Sequence, residues 1–237
     1  MTDLSELSFF ITHAHPCSYL AEEESTTIFV DPKAELNQTL YSQLSNLGFR
    51  RSGSHVYRPK CASCHACVPI RIPTGTFSPS RSQIRCLKRN KDLSFTIADS
   101  IQSDEYYTLY EKYINERHND GDMYPATREQ YEGFLTKEWG ITQYLVIRDS
   151  KNTLISVAVV DILVNGLSAI YTFFDPDEEK RSLGVYGILS QIQWAQQLNM
   201  PYVFLGYSID ACQKMNYKRK YKPYQLFLNN QWVTFED

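Results

Sequence analysis

The chain has 237 residues, of which 43% are hydrophobic, and a formal net charge of -3, so it can form one large domain or two lobes around a buried core. It contains no apolar run of about twenty residues, and its first residues are acidic where a signal peptide would be basic. These features argue against a membrane protein or a secreted disulfide scaffold, and predict a cytoplasmic protein with reduced cysteines.

The N-terminal part is predicted to form short strands and two helices. Residues 26–30 are β-rich, and residues 34–47 predict a helix whose apolar face carries Leu36, Leu40, Leu44 and Leu47. Proline and glycine then break the chain into short extended pieces. Residues 80–91 predict a basic helix, and a strand follows at residues 93–97.

The C-terminal part is predicted to contain the main sheet. Helices are expected over residues 103–118 and 127–137, the second capped by Thr127. The rest of the predicted order is three strands (141–148, 154–164, 167–174), a helix (183–198), a strand (202–205) and two short terminal strands. The order β-β-β-α-β is that of GNAT-type acyltransferases. We therefore predict an α+β protein with a three-layer GNAT-like fold around a mixed sheet (residues 92–237), preceded by a cysteine-containing lobe (residues 1–91).

A C-x-x-C-x-x-C motif is formed by Cys61, Cys64 and Cys67. This spacing lets neighbouring thiols turn toward one centre, as a zinc ion or an iron-sulfur cluster requires. A tetrahedral site needs a fourth ligand, for which the candidates are Cys17, His65 and Cys86. The alternative interpretation is that the thiols are small packing residues, since no second C-x-x-C pair accompanies them.

Charge is segregated along the chain. Residues 36–91 contain ten Lys and Arg but no Asp or Glu, whereas residues 99–138 contain ten acidic residues. A basic face on a mildly acidic protein predicts a nucleic acid or an acidic peptide as partner. Pairing of the two segments within the protein is the alternative.

The predicted start of the long C-terminal helix departs from that of coenzyme A enzymes. Those enzymes carry R/Q-x-x-G-x-G/A there, so that the backbone can approach a pyrophosphate. The present sequence keeps Arg181 and Gly184 but has Tyr186 at the last small position. We expect the tyrosine ring to obstruct coenzyme A, which disfavours an N-acetyltransferase and predicts a different acyl donor.

Several motifs together resemble one family. They are Tyr57-Arg58-Pro59 before the cysteines, Tyr171-Thr172-Phe173-Phe174-Asp175-Pro176, Ser182-Leu183-Gly184-Val185-Tyr186, Leu205-Gly206-Tyr207 and Lys214-Met215-Asn216-Tyr217-Lys218. The chain is similar in these motifs to the arginyl-tRNA-protein transferase family, the aminoacyl-tRNA:protein transferases of the N-degron (N-end rule) pathway. Its short length is typical of the bacterial branch, which transfers leucine.

This resemblance implies transfer of leucine from Leu-tRNA to proteins that begin with Asp or Glu, which marks them for degradation. The chemistry, aminolysis of an ester, requires no cofactor and no coenzyme A. Transfer of arginine from Arg-tRNA is one alternative. A zinc-dependent nucleic-acid-binding module without enzymatic activity is another.

The resemblance also suggests roles for individual residues. Arg58, Arg71 and Arg181 are predicted to bind the acidic substrate, although packing or phosphate contact is an alternative for the first two. Asp175 could hold the incoming ammonium group, with Tyr171 and Tyr207 as hydrogen-bond partners, unless Asp-Pro simply forms a turn. The residues predicted to bind tRNA by charge and stacking are Lys214, Tyr217, Lys218, Lys220 and Lys222.

Overall fold

The computed structural model of the protein describes residues 3–136 and 140–236. The strands of these residues are β1 Phe9–Ile11, β2 His15–Pro16, β3 Glu24–Ser25, β4 Thr27–Val30, β5 Arg50–Ser52, β6 His55–Pro59, β7 Val68–Pro73, β8 Ser94–Ala98, β9 Thr142–Arg148, β10 Leu154–Leu163, β11 Gly166–Phe174, β12 Tyr202–Ser208, β13 Tyr224–Leu228 and β14 Gln231–Phe235. The helices are α1 Gln38–Asn46, α2 Arg81–Arg89, α3 Asp104–Arg117, α4 Arg128–Tyr131, α5 Leu183–Gln197 and α6 Gln213–Asn216.

The fold is built on an eight-stranded sheet with the order β14-β13-β7-β12-β11-β10-β9-β8. Strands β11 and β12 are parallel, because α5 connects them and returns the chain to the same end of the sheet. The other neighbours are antiparallel. The predicted α+β fold with a large mixed sheet is confirmed.

Both faces of this sheet are covered. Side chains of a strand point alternately to opposite faces, and along β10 Ala158 and Val160 enter one apolar core while Val157 and Val159 enter another. The first core lies under α2 and α5, and the second lies under α3 and α4. A strand that is apolar on both sides is expected when helices pack on both faces.

The N-terminal residues form a four-stranded sheet with the order β1-β4-β6-β5, next to α1. Strand β7 precedes the predicted boundary at residue 91, yet it lies in the eight-stranded sheet between β12 and β13. The large sheet therefore includes residues from both sides of that boundary.

The helix limits differ in places from the predicted ones. Helix α1 begins four residues later than predicted, because the side chain of Asn37 caps it by accepting a hydrogen bond from the backbone of Leu40. Thr127 caps α4 as predicted, but a π-turn over Glu132–Thr136 replaces the rest of the predicted helix; its last predicted residue, Lys137, lies outside the described residues. Among the described residues, no helix combines the length and apolar character of a membrane span.

Candidate active site

The two parallel strands of the sheet separate shortly after they begin to pair. Gly166 pairs with Tyr202 and Ser168 with Phe204, and the pairing of the described residues ends there. Both strands continue, to Phe174 in β11 and to the end of β12. The sheet is therefore open along the second halves of β11 and β12.

Irregularities in both strands produce this opening. The register between β10 and β11 shifts between Val159 and Val160, and the register of β12 against β7 shifts between Phe204 and Tyr207. Gly206 lies inside the second shift with a φ of 81°, a conformation that glycine adopts without steric cost. Because a bulge bends its strand, these shifts turn β11 and β12 away from each other.

A cavity of about 630 Å³ occupies the opening. Apolar and aromatic side chains form much of its wall, among them Tyr113, Ile114, Met123, Ile188 and Leu205. Such a concave, largely apolar space with a few polar groups is typical of a small-molecule site.

Arg50 of β5 lines this cavity although it is only 6% exposed. The next residue, Arg51, points to the opposite face of the strand, where its guanidinium forms two hydrogen bonds of 2.7 Å with the carboxylate of Asp161. Nη2 of Arg50 donates a hydrogen bond to the backbone carbonyl of Ala169 in β11. The buried ion pair on one side thus fixes the strand that carries Arg50 on the other.

Lys218 is a second cation in the cavity wall, and it is 8% exposed. Its Nζ donates to the backbone carbonyl of Tyr207 at 2.6 Å. Burial, reinforced by the charge of Arg50, lowers the pKa of Lys218 to about 7. A substantial fraction of this amine is therefore neutral at physiological pH.

The structure brings two of the three predicted catalytic residues to the cavity. Tyr171 and Tyr207 both line it, and burial raises the pKa of each phenol. The hydroxyl of Tyr207 donates to the backbone carbonyl of Gly48 at 2.8 Å, which ties β12 to the end of α1. Asp175 instead accepts a hydrogen bond from Nζ of Lys112 at 2.7 Å and caps the turn that follows it. This is the turn-forming role that the sequence offered as the alternative for Asp-Pro.

The three predicted substrate arginines lie in other surroundings. Arg71 is buried, hydrogen-bonded to Gln225 and stacked over the ring of Tyr202, and burial lowers its pKa to about 10. Arg181 forms a two-pronged ion pair with Asp92, at 2.9 Å for each contact. Arg58 lines a separate cavity, which the cysteines of the C-x-x-C-x-x-C motif also line.

The predicted tRNA-binding residues divide into surface and buried groups. Lys214, Tyr217, Lys220 and Lys222 are exposed, and Lys220 and Tyr217 line a second cavity of about 550 Å³ beside the start of α5. Lys218 is buried, and its ammonium does not belong to this surface group. The 3₁₀ turn over Tyr217–Lys220 directs it inward between exposed neighbours.

The four predicted metal-binding cysteines line one large cavity; they are Cys17, Cys61, Cys64 and Cys67. Arg58 and His65 line the same cavity. Burial and the neighbouring thiols raise the pKa of Cys67 to about 11. Cys86 lies elsewhere, with its thiol toward the backbone carbonyl of Arg181. Within the described residues, no three Cys, His, Asp or Glu side chains are arranged to hold a metal ion. Zinc or an iron-sulfur cluster at these cysteines stays a prediction.

The expected obstruction by Tyr186 is wrong. Its ring is buried in the core under α5, and its hydroxyl donates to the backbone carbonyl of Leu93 at 3.3 Å. Successive helix residues point about 100° apart, so Tyr186 lies nearly opposite Gly184 and faces inward, while Gly184 and Val185 line the cavity at the helix start. The steric argument from sequence against coenzyme A therefore no longer applies.

Sequence reasoning missed Arg50 and Gln191 as cavity residues. Gln191 lies on α5, with Nε2 donating to the backbone carbonyl of Gly187 at 3.2 Å. Only the absence of acidic residues around Arg50 in the sequence pointed to an anionic partner there. For Gln191 the sequence offered no signal, because it lies within a helix whose other residues are mainly apolar.

A mixed sheet with a cationic cavity between two separating parallel strands is the kind of concave, partly apolar site at which α+β enzymes bind small molecules. Residues 15–85 match the family described as "Arginine-tRNA-protein transferase, N terminus", and residues 105–228 match "Arginine-tRNA-protein transferase, C terminus". The chain belongs to the arginine-tRNA-protein transferase family, as the resemblance of its motifs predicted.

Two relatives show how far the similarity extends. An aspartate/glutamate leucyltransferase of Saccharophagus degradans is 60% identical over 99% of this chain and 100% of that protein. One of Teredinibacter turnerae is 58% identical over 100% of this chain and 97% of that protein. Among solved structures, that of L-PGS from Bacillus licheniformis matches with 14% identity and a TM-score of 0.49, covering 71% of this chain and 58% of that one.

Proposed function

We propose that this protein transfers leucine from Leu-tRNA to the α-amine of proteins that begin with Asp or Glu, creating a degradation signal. The observation that carries the proposal is the full-length identity of 60% to a protein named aspartate/glutamate leucyltransferase. Charged tRNA is a cytoplasmic substrate, so we place the reaction in the cytoplasm. The strand order β9-β10-β11-α5-β12 and the separation of β11 from β12 support a GNAT-like acyltransferase fold.

The reaction fits the cavity between β11 and β12. A bond forms between the acceptor nitrogen and the leucyl carbonyl carbon, the ester bond to the ribose breaks, and the nitrogen loses a proton as the ribose oxygen gains one. An α-amine titrates near about 8, close to the pKa of about 7 of Lys218. We propose that the Lys218 amine takes this proton, while the apolar wall holds the leucyl side chain.

The exposed basic surface offers a route for the acceptor end of the tRNA. The second cavity, lined by Arg117, Tyr217 and Lys220, shares Phe174, Gly184 and Tyr217 with the first. Lysines can contact phosphates there, and an exposed tyrosine can stack on an unpaired base. We propose that the tRNA end enters through the second cavity and places its ester in the first.

We expect the double substitution Lys220→Glu with Lys222→Glu to weaken Leu-tRNA binding by about tenfold or more near physiological salt. Each lost single-strand phosphate contact should reduce the slope of log K against log salt by about 0.7. Filter binding over a salt series measures both quantities. Lys151→Glu is the matched control, because Lys151 is exposed in the turn between β9 and β10. Equal effects in the two proteins would show that Lys220 and Lys222 do not belong to the tRNA site.

A transfer assay tests the proposed function directly. Purified protein is mixed with Leu-tRNA or Arg-tRNA and with peptides that begin with Asp, Glu or Ala, and the products are weighed by mass spectrometry. We expect one added leucine on the Asp and Glu peptides and no addition to the Ala peptide. Addition of arginine in place of leucine would identify Arg-tRNA as the donor. No addition from either tRNA would reject the proposal.

A further inference from the structure

A transferase selective for acidic N-terminal residues needs a fixed cation that binds the acceptor carboxylate. Of the arginines predicted from sequence, Arg71 and Arg181 are already engaged by protein side chains, and Arg58 lines the cysteine cavity. Two further arginines line the cavity between β11 and β12: Arg51, which is paired with Asp161, and Arg50. The surroundings of Arg50 differ from those of the other arginines.

Arg50 is a buried charge without an anionic partner in the described residues. Nη1 is shielded from solvent and has no hydrogen-bond partner within residues 3–136 and 140–236, and no ion pair joins the guanidinium to a carboxylate there. Burying an unpaired charge is strongly unfavourable. The adjacent Arg51 is just as buried, but the carboxylate of Asp161 balances its charge. Strand β5 therefore carries one paired arginine, Arg51, and one, Arg50, that has no counter-charge in the described residues.

The guanidinium is held in place before any ligand arrives. Nη2 is fixed on the carbonyl of Ala169, and the bulge at Gly206 lies beside it, since a Cβ at that position would be 3.5 Å from Nε of Arg50. The Arg51–Asp161 pair holds the strand from behind. A fixed donor is what selective recognition requires, because little conformational freedom is lost on binding.

A second unpaired group in the same cavity has the opposite hydrogen-bonding character. Oε1 of Gln191 is buried and lacks a partner in the described residues, and Gln191 lines the cavity. Its amide orientation follows from Nε2 donating to the carbonyl of Gly187, since a carbonyl can only accept. The cavity thus presents an unused donor on Arg50 and an unused acceptor on Gln191, and a ligand with both an anion and an amine matches the two.

We propose, building on the function above, that Arg50 binds the side-chain carboxylate of the acceptor's N-terminal Asp or Glu and so sets acceptor specificity. Gln191 then accepts a hydrogen bond from the same residue's α-amine. Arg50 is better suited than Lys218 to this role. Its planar guanidinium offers two donors to a carboxylate and keeps its charge, whereas the Lys218 amine already donates to Tyr207.

The test compares acidic acceptors with their uncharged isosteres. Values of kcat/KM are measured by mass spectrometry with Leu-tRNA and peptides beginning with Asp, Asn, Glu or Gln, for the wild type and Arg50→Met. In the wild type we expect the Asp peptide to exceed the Asn peptide by roughly 10²-fold or more. In Arg50→Met this ratio should fall to within about tenfold of unity, with the loss confined to the acidic peptides.

Arg71→Met is the matched control, because Arg71 is equally buried but lies outside the cavity; its Asp/Asn ratio should stay at the wild-type value. Loss of the ratio in Arg71→Met but not in Arg50→Met would assign the carboxylate to Arg71 and overturn the proposal. An equal loss on Asp and Asn peptides in Arg50→Met would also overturn it, since Arg50 would then act on the ester or the tRNA.

Two further outcomes separate this inference from the proposed function. If the wild type modifies no peptide, the proposed function fails and the inference fails with it. If the wild type is selective and Arg50→Met keeps the selectivity, only the inference fails. Should Arg50→Met not fold, as judged by circular dichroism, Arg50→Lys replaces it. Lysine keeps the charge but loses the two-pronged contact, so the Asp/Asn ratio should fall by about tenfold, and an unchanged ratio contradicts the proposal.

Discussion

Asp161→Asn should lower the free energy of unfolding by about 3–5 kcal/mol, because it removes the carboxylate charge that pairs with the buried guanidinium of Arg51. Both side chains are fully buried, and the carboxylate accepts two hydrogen bonds from Arg51 and one from Thr142. Asparagine is nearly isosteric, so the loss reports charge rather than volume. Urea unfolding followed by tryptophan fluorescence measures the change.

Asp104→Asn is the control for this prediction. Asp104 also forms an ion pair of 2.7 Å, with Arg128, but its carboxylate is 88% exposed. An exposed pair contributes about 0–1 kcal/mol, so the control should unfold within that margin of the wild type. A loss in Asp161→Asn no larger than in Asp104→Asn would contradict the assignment of the buried pair as the clamp that holds β5.

Lys218→Met should make the protein more stable and much less active. The buried Lys218 has a pKa of about 7 in the folded protein, against about 10.4 in an unfolded chain. Between these values the unfolded state binds more protons, so the stability of the wild type rises with pH across this window. Below pH 7 both states are protonated and the cost of burying the charge is complete. Methionine removes that cost, and we expect a gain on the order of 2 kcal/mol at pH 6 to 7.

The pH dependence identifies the cause. The stability difference between Lys218→Met and the wild type should shrink steadily as the pH is raised toward 9, because the free energy needed to bury Lys218 as a neutral amine falls as the pH approaches its unfolded-state pKa. Burial is the main cause of the low pKa of Lys218, and the neighbours that adjust it further, Arg50, Cys212 and Cys67, are present in both proteins. Lys220→Met, at an exposed position, should show no such dependence. A constant difference across pH would show that packing, and not charge, is responsible.

The transfer rate provides the second measurement on this variant. If Lys218 takes the proton of the acceptor amine, kcat should fall by roughly 10²-fold or more in Lys218→Met. Higher stability together with lower activity is the result expected for a charge kept buried for function. Full activity in Lys218→Met would reject its role as proton acceptor, while leaving the stability prediction to be judged on its own data.

Local patterns in the sequence determined most of the elements. The apolar spacing of α1 and the Thr127 cap depend on residues within a few positions of each other, which is the range over which helix and turn signals act. The motifs around Tyr171 and Leu205 also led to the correct family.

The tertiary structure decided which charged residues enter the site. Arg50 reaches a carbonyl 119 positions away in the chain, and Lys218 differs from its exposed neighbours only in the direction the turn gives it. Tyr186, Arg71 and Asp175 were assigned from local motifs, and the structure places each of them in a packing, stacking or capping environment. Sequence therefore determined the family, the elements and the supply of positive charge. Which cations lie buried and unpaired in the cavity was decided only by long-range packing, because burial and the opening between β11 and β12 arise from segments that are distant in the chain.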